Sequence, residues 1–355
     1  MASKRPTTTD IAQLAGVSQS TVSMILSGRP SVSFSPETIQ KVCAAAEQLG
    51  YHPRKKNGRR STEPPLVAVV TPTPGNPYYS TLIQSLENEA SSHGYNLLTC
   101  NTYYDANTEG RYLDLLVSSF YCGVIFTYMP YNWERVRALS FSFPVIIIGD
   151  KADSIDIDTV ALNSRTAGEL VARHLLELGH RQIAFITTQL DNNIQRQRRL
   201  EGIRQFLESC GARLVVQEAS VNLHHRKYNL NIEYDVGYEL AVKASADPAI
   251  TAYIGVNDMV AYGIMDALLA QGRSIPGDCS VCGFDNIFPS CFANISLTTI
   301  DSCLTEKGRD AFELLMRKIT DQPASATSIF QIEYNPKIII RRSTGPAPGA
   351  EGQEG

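Results

Sequence analysis

Short apolar runs alternate with longer helical stretches along most of this chain, and this pattern limits the possible folds more than any other feature. A first series predicts strands at 66–70, 96–100, 124–126 and 145–148, with helices near 78–93, 108–119 and 132–140. A second series predicts strands near 183–186, 214–217, 252–256 and 280–283, with helices near 165–178, 196–209, 235–246 and 257–271. Alternating strands and helices indicate parallel sheets covered by helices on both faces. We therefore predict an α/β core of two doubly wound units that face each other across one ligand-binding cleft.

The first 51 residues carry different signals, which predict short helices. Thr7 and Asp10 have the spacing of a capping box, and Ala-Gly-Val at 15–17 closes the first helix with a tight turn. Ser18 can cap a second helix over residues 19–26. Two short helices joined by a turn that contains glycine are typical of a helix-turn-helix.

A third helix completes this unit. It begins at Pro36 and ends at Gly50, while Val22, Ile25 and Leu26 give the second helix one inward apolar face. The opposite face is short, polar and uncharged, which suits the DNA major groove, where Gln can pair with adenine. An ordinary three-helix cap without a role in DNA binding is the alternative. We expect base contacts from Gln19, Ser20 and Met24, and further DNA contacts from Thr7, Ser18, Thr21 and Ser23.

Charge favours DNA binding over that alternative. Residues 1–62 contain nine Lys or Arg and three acidic residues, a net charge of +6. The whole chain carries −4, so residues 63–355 carry −10. A basic segment joined to an acidic remainder is expected when only the N-terminal segment binds DNA phosphates. The basic residues that we assign to DNA are Arg29, Arg54, Arg59 and Arg60.

The N-terminal segment also resembles a known DNA-binding headpiece. The run from Thr7 to Gly28, followed by Ser35-Pro-Glu-Thr and Leu49-Gly-Tyr-His-Pro53, is similar to the headpiece of the LacI/GalR (lactose/galactose repressor) family. This motif is long and ordered, and is therefore more specific than a general helix-turn-helix pattern. The resemblance continues through Asn76-Pro-Tyr-Tyr79, Leu178-Gly-His-Arg181, Arg199-Leu-Glu-Gly202, Val256-Asn-Asp258, Ala261-Tyr-Gly263, Pro276-Gly-Asp-Cys-Ser-Val281 and Gly283-Phe-Asp285.

This resemblance implies a two-lobed, periplasmic-binding-protein-like core whose chain crosses between the lobes. The expected domains are a headpiece at 1–52, a basic linker at 53–65, a core at 66–344 and a disordered tail at 345–355. Within the core we expect lobe 1 at about 66–162 and 292–322, and lobe 2 at about 163–291 and 323–344. In the family the linker usually forms a hinge helix with a leucine that wedges into the minor groove. This chain has no leucine between residues 53 and 63, so its arginines could contact phosphate instead, or the linker could be a flexible tether.

Several polar residues follow predicted strands and should therefore lie at the mouth of the cleft. Carboxylate, amide and guanidinium groups combined with aromatic rings suit a polyhydroxylated ligand. Asp258 could instead cap a helix, Asp285 could brace a turn, and one residue of the Tyr78–Tyr79 pair could serve packing alone. Ligand contacts of the family fall here on Tyr78, Tyr79, Arg199, Asn257 and Asp285, with Asp258, Tyr128 and Asp150 as further candidates.

Other kinds of site have less support. Cys279 and Cys282 have the spacing of a metal or redox motif, but they lie in a predicted strand and no second ligand pair accompanies them. Sequence motifs of hydrolases, metalloproteases and nucleotide-binding enzymes are missing from the chain, so we predict no catalytic residue, metal or cofactor. With neither a signal peptide nor an apolar run of about 18 residues, we expect a cytoplasmic protein with no membrane partner.

These patterns lead to one functional hypothesis. We expect a homodimeric transcriptional repressor that binds a pseudo-palindromic operator and responds to a small molecule, most simply a carbohydrate, bound between the lobes. An activator or a corepressor-type regulator of the same fold is the alternative. An exported solute-binding protein would lack the basic headpiece, and a sugar-processing enzyme would need catalytic groups that the chain does not present.

Overall fold

A computed structural model describes most of the chain. The described residues are 6–26, 34–49, 51, 64–118, 121–141, 143–151, 156–190, 193–219, 230–292, 296–320 and 328–349.

Three helices form the N-terminal unit, as the sequence predicts. They are α1 (Thr8–Ala15), α2 (Gln19–Leu26) and α3 (Pro36–Gln48). Both hydrogen bonds of the capping box between Thr7 and Asp10 are present, and Gly16 ends α1 in the left-handed conformation with φ of 67°. The apolar face of α2 is buried as expected. We refer to α1–α3 as the headpiece.

The headpiece packs directly on the core. Its apolar cluster includes Ile11, Val22 and Val42, and it extends to Ala138 and Phe141 at the end of a core helix, Trp133–Ser140. The headpiece is therefore in contact with the lobe that contains this helix.

The first lobe is built from the first strand and helix series. In chain order its elements are β1 (Leu66–Thr71), α4 (Pro77–Ser92), β2 (Asn96–Asn101), α5 (Ala106–Ser118), β3 (Tyr121–Phe126), α6 (Trp133–Ser140), β4 (Val145–Ile148) and β5 (Asp158–Leu162). Strand β1 is buried on both faces: Val67 and Val69 join one apolar cluster and Ala68 and Val70 join the other. This continuous apolar run is the signature of a central parallel strand.

The second series forms the second lobe in the same way. Its elements are α7 (Ser164–Glu177), β6 (Gln182–Thr187), α8 (Ile194–Ser209), β7 (Arg213–Glu218), α9 (Ile232–Ala244), β8 (Ala252–Gly255), α10 (Asp258–Ala270) and β9 (Ser280–Asp285). All pairs among β6–β9 are parallel. The predicted architecture of two doubly wound parallel sheets is confirmed.

The last part of the chain crosses between the lobes. It contains β10 (Thr298–Asp301), α11 (Leu304–Thr320), β11 (Gln331–Tyr334) and β12 (Lys337–Ile339). The six strands of the first sheet have the order β11-β5-β4-β3-β1-β2, and those of the second have the order β12-β10-β9-β8-β6-β7.

Two of the expected lobe boundaries are therefore wrong. Strand β10 pairs in parallel with β9, so residues 298–301 belong to lobe 2 and not to lobe 1. Strand β11 pairs in parallel with β5, so residues 331–334 belong to lobe 1 and not to lobe 2. The physical reason is that β5 and β9 would otherwise be edge strands with unpaired backbone groups. Strands β11 and β10 pair with these edges as the chain crosses between the lobes. Strand β12, antiparallel to β10, ends in lobe 2 as expected, and α11 packs on lobe 1 as expected.

The start of the predicted disordered tail is also ordered, which corrects that expectation for residues 345–349. Gly345 O accepts hydrogen bonds from Ser280 Oγ at 3.1 Å and lies 3.1 Å from His180 Nε2. Ala347 N donates to Leu178 O at 2.8 Å. Buried polar side chains of lobe 2 thus need this segment as a hydrogen-bond partner, and composition alone does not reveal that need. Residues 350–355 lie outside the described residues.

None of the helices within the described residues is both long enough and apolar enough to cross a membrane.

Candidate functional site

The outer face of α2 presents short polar groups to the surface. Gln19, Ser20 and Ser23 are exposed, and Met24 is half-buried. Gln19 Nε2 donates to Thr8 Oγ1 at 3.0 Å, so this side chain lies across the junction of α1 and α2. An exposed amide beside hydroxyl groups, on a helix whose other face is buried, can enter a major groove and contact base edges.

Two residues of the expected DNA-contacting set stabilise helix ends. Thr7 is the N-cap of α1. Ser18 Oγ accepts the backbone N–H of Thr21 at 3.0 Å and lies 2.7 Å from Ser20 Oγ. These hydroxyls position the first turns of both helices, and their direct contact with DNA stays a prediction. Four of the predicted DNA contacts and residues 53–63 of the predicted linker lie outside the described residues; these contacts are Arg29, Arg54, Arg59 and Arg60.

The second candidate site lies where strand ends of the two lobes approach each other, and we call it the cleft. On the lobe 2 side, Arg199 of α8 donates from Nη1 to Val256 O at 2.7 Å and from Nη2 to Asp285 Oδ1 at 3.1 Å. The Arg199 guanidinium also lies over the ring of Phe284, 4.6 Å from its centroid. Arg199 and Asp285 are both buried, and Ser302 Oγ donates to the same carboxylate oxygen at 3.3 Å. The structure thus brings Arg199 and Asp285 together at strand ends, and their role as ligand contacts stays a prediction.

Asp285 is also unusual in its backbone. Its φ of 116° is rare for a residue with a side chain, and such conformations concentrate at functional sites. Burial raises the pKa of the Asp285 carboxyl, and the adjacent Arg199 opposes this shift.

Asn257 and Asp258 have different structural roles, and Asp258 is not the helix cap that the sequence offered as an alternative. Asn257, not Asp258, is the N-cap of α10, and its Oδ1 accepts the backbone N–H of Val260 at 3.0 Å. Asp258 accepts hydrogen bonds from Ile287 N at 3.0 Å and from Ser290 Oγ at 2.6 Å. Burial, with a contribution from Asp285, raises the pKa of Asp258 to about 7. Asp258 therefore braces the chain that follows β9.

Two tyrosines form the lobe 1 side of the cleft. Tyr78 and Tyr79 are buried in the first turn of α4, and their rings meet edge to face with centroids 5.0 Å apart. Burial raises the pKa of Tyr78, and the negative charge of the nearby Asp285 raises it further. Tyr79 Oη lies 3.1 Å from Tyr104 Oη. Tyr78 thus lies near enough to the Arg199–Asp285 pair for their charges to affect it, whereas the Tyr79 hydroxyl is beside Tyr104.

The two weaker lobe 1 candidates have different surroundings. The Tyr128 hydroxyl donates to Glu109, which also accepts the backbone N–H of Asn132 at 2.7 Å. Tyr128 therefore supports the loop after β3. Asp150 is buried after β4, where burial raises its pKa, and its Oδ1 lies 3.9 Å from Arg198 Nη1 of lobe 2.

A second charged cluster, which the sequence reasoning missed, joins the lobes. Asn76 of lobe 1 donates from Nδ2 to Glu233 Oε2 of lobe 2 at 2.7 Å. Arg196 forms a buried ion pair with Glu233 and donates to Thr188 Oγ1. Arg196 could have been found from the sequence because it precedes Arg199 by three residues on one helix face. Glu233 carries no such signal.

Cys279 and Cys282 are both buried; Cys282 lies within β9 as predicted, whereas Cys279 directly precedes the strand. Burial raises the pKa of the Cys279 thiol to about 11, so this thiol is protonated near neutral pH. Among the described residues, no group of three or more His, Cys, Asp or Glu could hold a metal ion.

Comparison with known proteins identifies the group to which these two parts belong. Residues 7–54 match the family of bacterial regulatory proteins of the lacI family, and residues 65–337 match the periplasmic binding proteins and sugar-binding domain of the LacI family. The chain belongs to the LacI family. It is a transcriptional regulator, not an enzyme, with a DNA-binding headpiece and a sugar-binding-type core.

Three relatives illustrate the similarity of this LacI-family chain. The HTH-type transcriptional repressor PurR of Mannheimia succiniciproducens is 30% identical over 344 residues, which cover 94% of this chain and 97% of that protein. A LacI-family transcriptional regulator structure from Silicibacter pomeroyi is 27% identical with a TM-score of 0.68, and covers 95% of this chain and 99% of that one. A LacI-family regulator from Enterococcus faecalis with bound ribose is 25% identical with a TM-score of 0.68, and covers 79% of this chain and 99% of that one.

Proposed function

We propose that this LacI-family regulator is a dimeric repressor whose affinity for a pseudo-palindromic operator is controlled by a sugar or sugar derivative bound in the cleft. The observation that carries this proposal is the buried Arg199–Asp285 pair at the strand ends of lobe 2, whose charges affect Tyr78 of lobe 1. Such a pair can bind vicinal hydroxyls while an aromatic ring covers an apolar sugar face.

The headpiece supplies the other half of the proposed mechanism. Exposed Gln19, Ser20 and Ser23 would contact bases, and the basic residues of the N-terminal 62 residues would contact phosphate. The contact of the headpiece with α6 links it to lobe 1. A ligand that changes how the lobes meet would then change how two headpieces are placed on two half-sites.

Relatives support the repressor role and the ligand class. A PurR relative is a transcriptional repressor, and a structural neighbour contains ribose. In the cleft of this chain, Arg199, Asn257 and Asp285 provide both donors and acceptors, as a polyhydroxylated ligand requires.

The test uses a duplex selected from a random library by the full-length protein. Fluorescence anisotropy would measure affinity for this duplex while carbohydrates and nucleosides are added in turn. We expect at least one sugar to weaken binding, and Asp285→Asn to lose this response while its affinity for the duplex is unchanged. Asn keeps an acceptor for Arg199, so the variant should fold. A ligand that strengthens binding would instead indicate a corepressor, and an unchanged response in Asp285→Asn would remove this residue from the site.

A further inference from the structure

The cleft contains a buried cation that the Arg199–Asp285 pair does not explain. Lys307 lies in the first turn of α11, just after the chain crosses from lobe 2 to lobe 1, and it is fully buried. Within the described part of the chain, its Nζ has no hydrogen-bond partner. Buried lysine side chains are rare unless they are paired, so this ammonium needs a partner that is not part of the protein.

The backbone around Lys307 is held firmly in place. Ser85 Oγ of α4 donates to Thr305 O at 2.6 Å. At Gly308 a Cβ would lie 2.6 Å from Ser85 Cβ, so α11 and α4 are in the closest possible contact there. Because the first turn of α11 is anchored on both sides of Lys307, the side chain cannot reach solvent by a small shift of its helix.

The surroundings of Lys307 are the polar groups of the cleft. Burial lowers the pKa of Lys307 to about 8, the positive charge of Arg199 lowers it too, and the carboxylates of Asp150 and Asp285 act in the opposite direction. The backbone gives the same placement: Lys307 N donates to Cys303 O at 2.8 Å, and the adjacent Ser302 donates from Oγ to Asp285 Oδ1 at 3.3 Å. Lys307 therefore faces the same space as the candidate ligand contacts.

Neither carboxylate of this space is bonded to Lys307 in the described structure, and Asp150 Oδ2 is itself buried without a hydrogen-bond partner. Asp285 accepts from Arg199, and Asp150 lies near Arg198. Arg199 also has one donor to spare, because its Nε is buried without a hydrogen-bond partner in the described structure. Two cationic donors, Lys307 Nζ and Arg199 Nε, thus lack acceptors in one region. A neutral hydroxyl could accept a hydrogen bond from each, whereas an acidic oxygen group would accept stronger, charge-assisted hydrogen bonds from both.

We propose that Lys307 is a ligand-binding residue, and that the effector carries an acidic group, a carboxylate or a phosphate, which lies between Lys307 Nζ and Arg199 Nε. This inference rests on the proposed function and narrows its ligand class from sugars in general to sugar acids or sugar phosphates.

Matched ligand sets test the inference with the full-length protein. Isothermal titration calorimetry would compare glucose with glucuronate and glucose 6-phosphate, and ribose with ribonate and ribose 5-phosphate. We expect an acidic member of at least one set to bind at least tenfold more tightly than its neutral counterpart. Preference for the carboxylate or for the phosphate member then distinguishes the two sources of the acidic group.

Two variants and a control assign this preference to Lys307. Lys307→Met should remove the preference for the acidic ligand. Lys307→Gln should also remove it, because the amide keeps a hydrogen-bond donor but loses the charge. The control Lys243→Met, at an exposed position on α9, should leave the preference unchanged. Without ligand, Lys307→Met should melt at a higher temperature than the wild type, because an unpaired buried charge is lost. A lysine that only balances Asp150 and Asp285 would give a lower melting temperature.

Three results would overturn the acidic-effector inference. They are equal affinity for neutral and acidic members, binding of neutral members only, and no binding of any acidic member. The same holds if Lys307→Met folds and retains the acid preference. The wild-type comparison decides the ligand class even if the variants do not fold. The proposed function itself fails by a different result, namely that no small molecule of any class changes operator affinity.

Discussion

Asn76 of lobe 1 and Glu233 of lobe 2 are joined by a buried hydrogen bond of 2.7 Å across the cleft. Glu233 also forms the buried ion pair with Arg196, so one carboxylate connects the N-cap of α4 to the first turns of α8 and α9. Part of the contact between the lobes therefore consists of polar groups, whose hydrogen bonds a ligand can replace.

Loss of the Glu233 carboxylate should strongly destabilise the protein. Glu233→Ala leaves the Arg196 guanidinium buried without its counterion, and breaking a buried pair in this way costs about 3–5 kcal/mol. Urea unfolding would measure this change. Glu169→Ala is the control, since its pair with Arg173 is about half exposed and should contribute less than about 1 kcal/mol. Equal effects of the two substitutions would contradict this view of the cleft.

Asp258 should give stability a distinctive dependence on pH. Its folded pKa of about 7 lies above the unfolded value of 3.8, so between these values the folded state binds more protons than the unfolded state. The contribution of Asp258 is thus fully present below about pH 4 and is lost as the pH rises through 7. The free energy of unfolding of the wild type, compared with that of Asp258→Asn from pH 4 to 8, should show this fall. A difference that does not vary with pH would show that Asp258 is ionised throughout.

Gln19 should determine which operator is bound more than how tightly DNA is bound in general. Gln19→Ala should cost about 1–3 kcal/mol of discrimination at one base pair in each half-site, with little change in affinity for unrelated DNA. Anisotropy titrations with a set of single-base variants would measure both quantities. Gln13→Ala, at an exposed position on α1, is the matched control. An equal loss on every sequence would contradict a base-reading role.

An exposed aromatic pair offers a test of the proposed dimer. Phe288 and Phe292 are 73% and 54% exposed, and their rings meet edge to face with centroids 5.1 Å apart. Aromatic side chains of this kind often dominate interfaces between subunits. Phe288→Ser combined with Phe292→Ser should raise the dimer dissociation constant at least tenfold in sedimentation velocity, whereas Ile340→Ser, at a position that is 61% exposed, should not. Unchanged dimerisation would place the interface elsewhere.

Most of the fold could be predicted from local patterns in the sequence. The strands that are apolar throughout, such as β1 and β9, lie close to their predicted bounds because both of their faces are buried. Arg199 and Asp285 could be placed in the cleft because residues after parallel strands meet at one edge of a sheet.

The remaining features depend on contacts between distant parts of the chain. Lys307 lies in a strongly amphipathic helix, where a lysine is expected to be exposed, and only the crossing of α11 into lobe 1 buries it. Glu233 is identified only by its partners Asn76 and Arg196, which are 157 and 37 residues away in the chain. Strands β10 and β11 also depend on distant contacts, because the lobe to which each belongs is set by the strand with which it pairs.

The coupling between the two sites tests the account most directly. Calorimetry would measure the affinity of the full-length protein for its ligand with and without the selected operator duplex, and anisotropy would measure operator affinity with and without the ligand. If occupancy of the cleft controls the headpieces, the ligand weakens operator binding by some factor, typically about 5–150, and the operator weakens ligand binding by the same factor. Two affinities that are each independent of the other ligand would contradict the account.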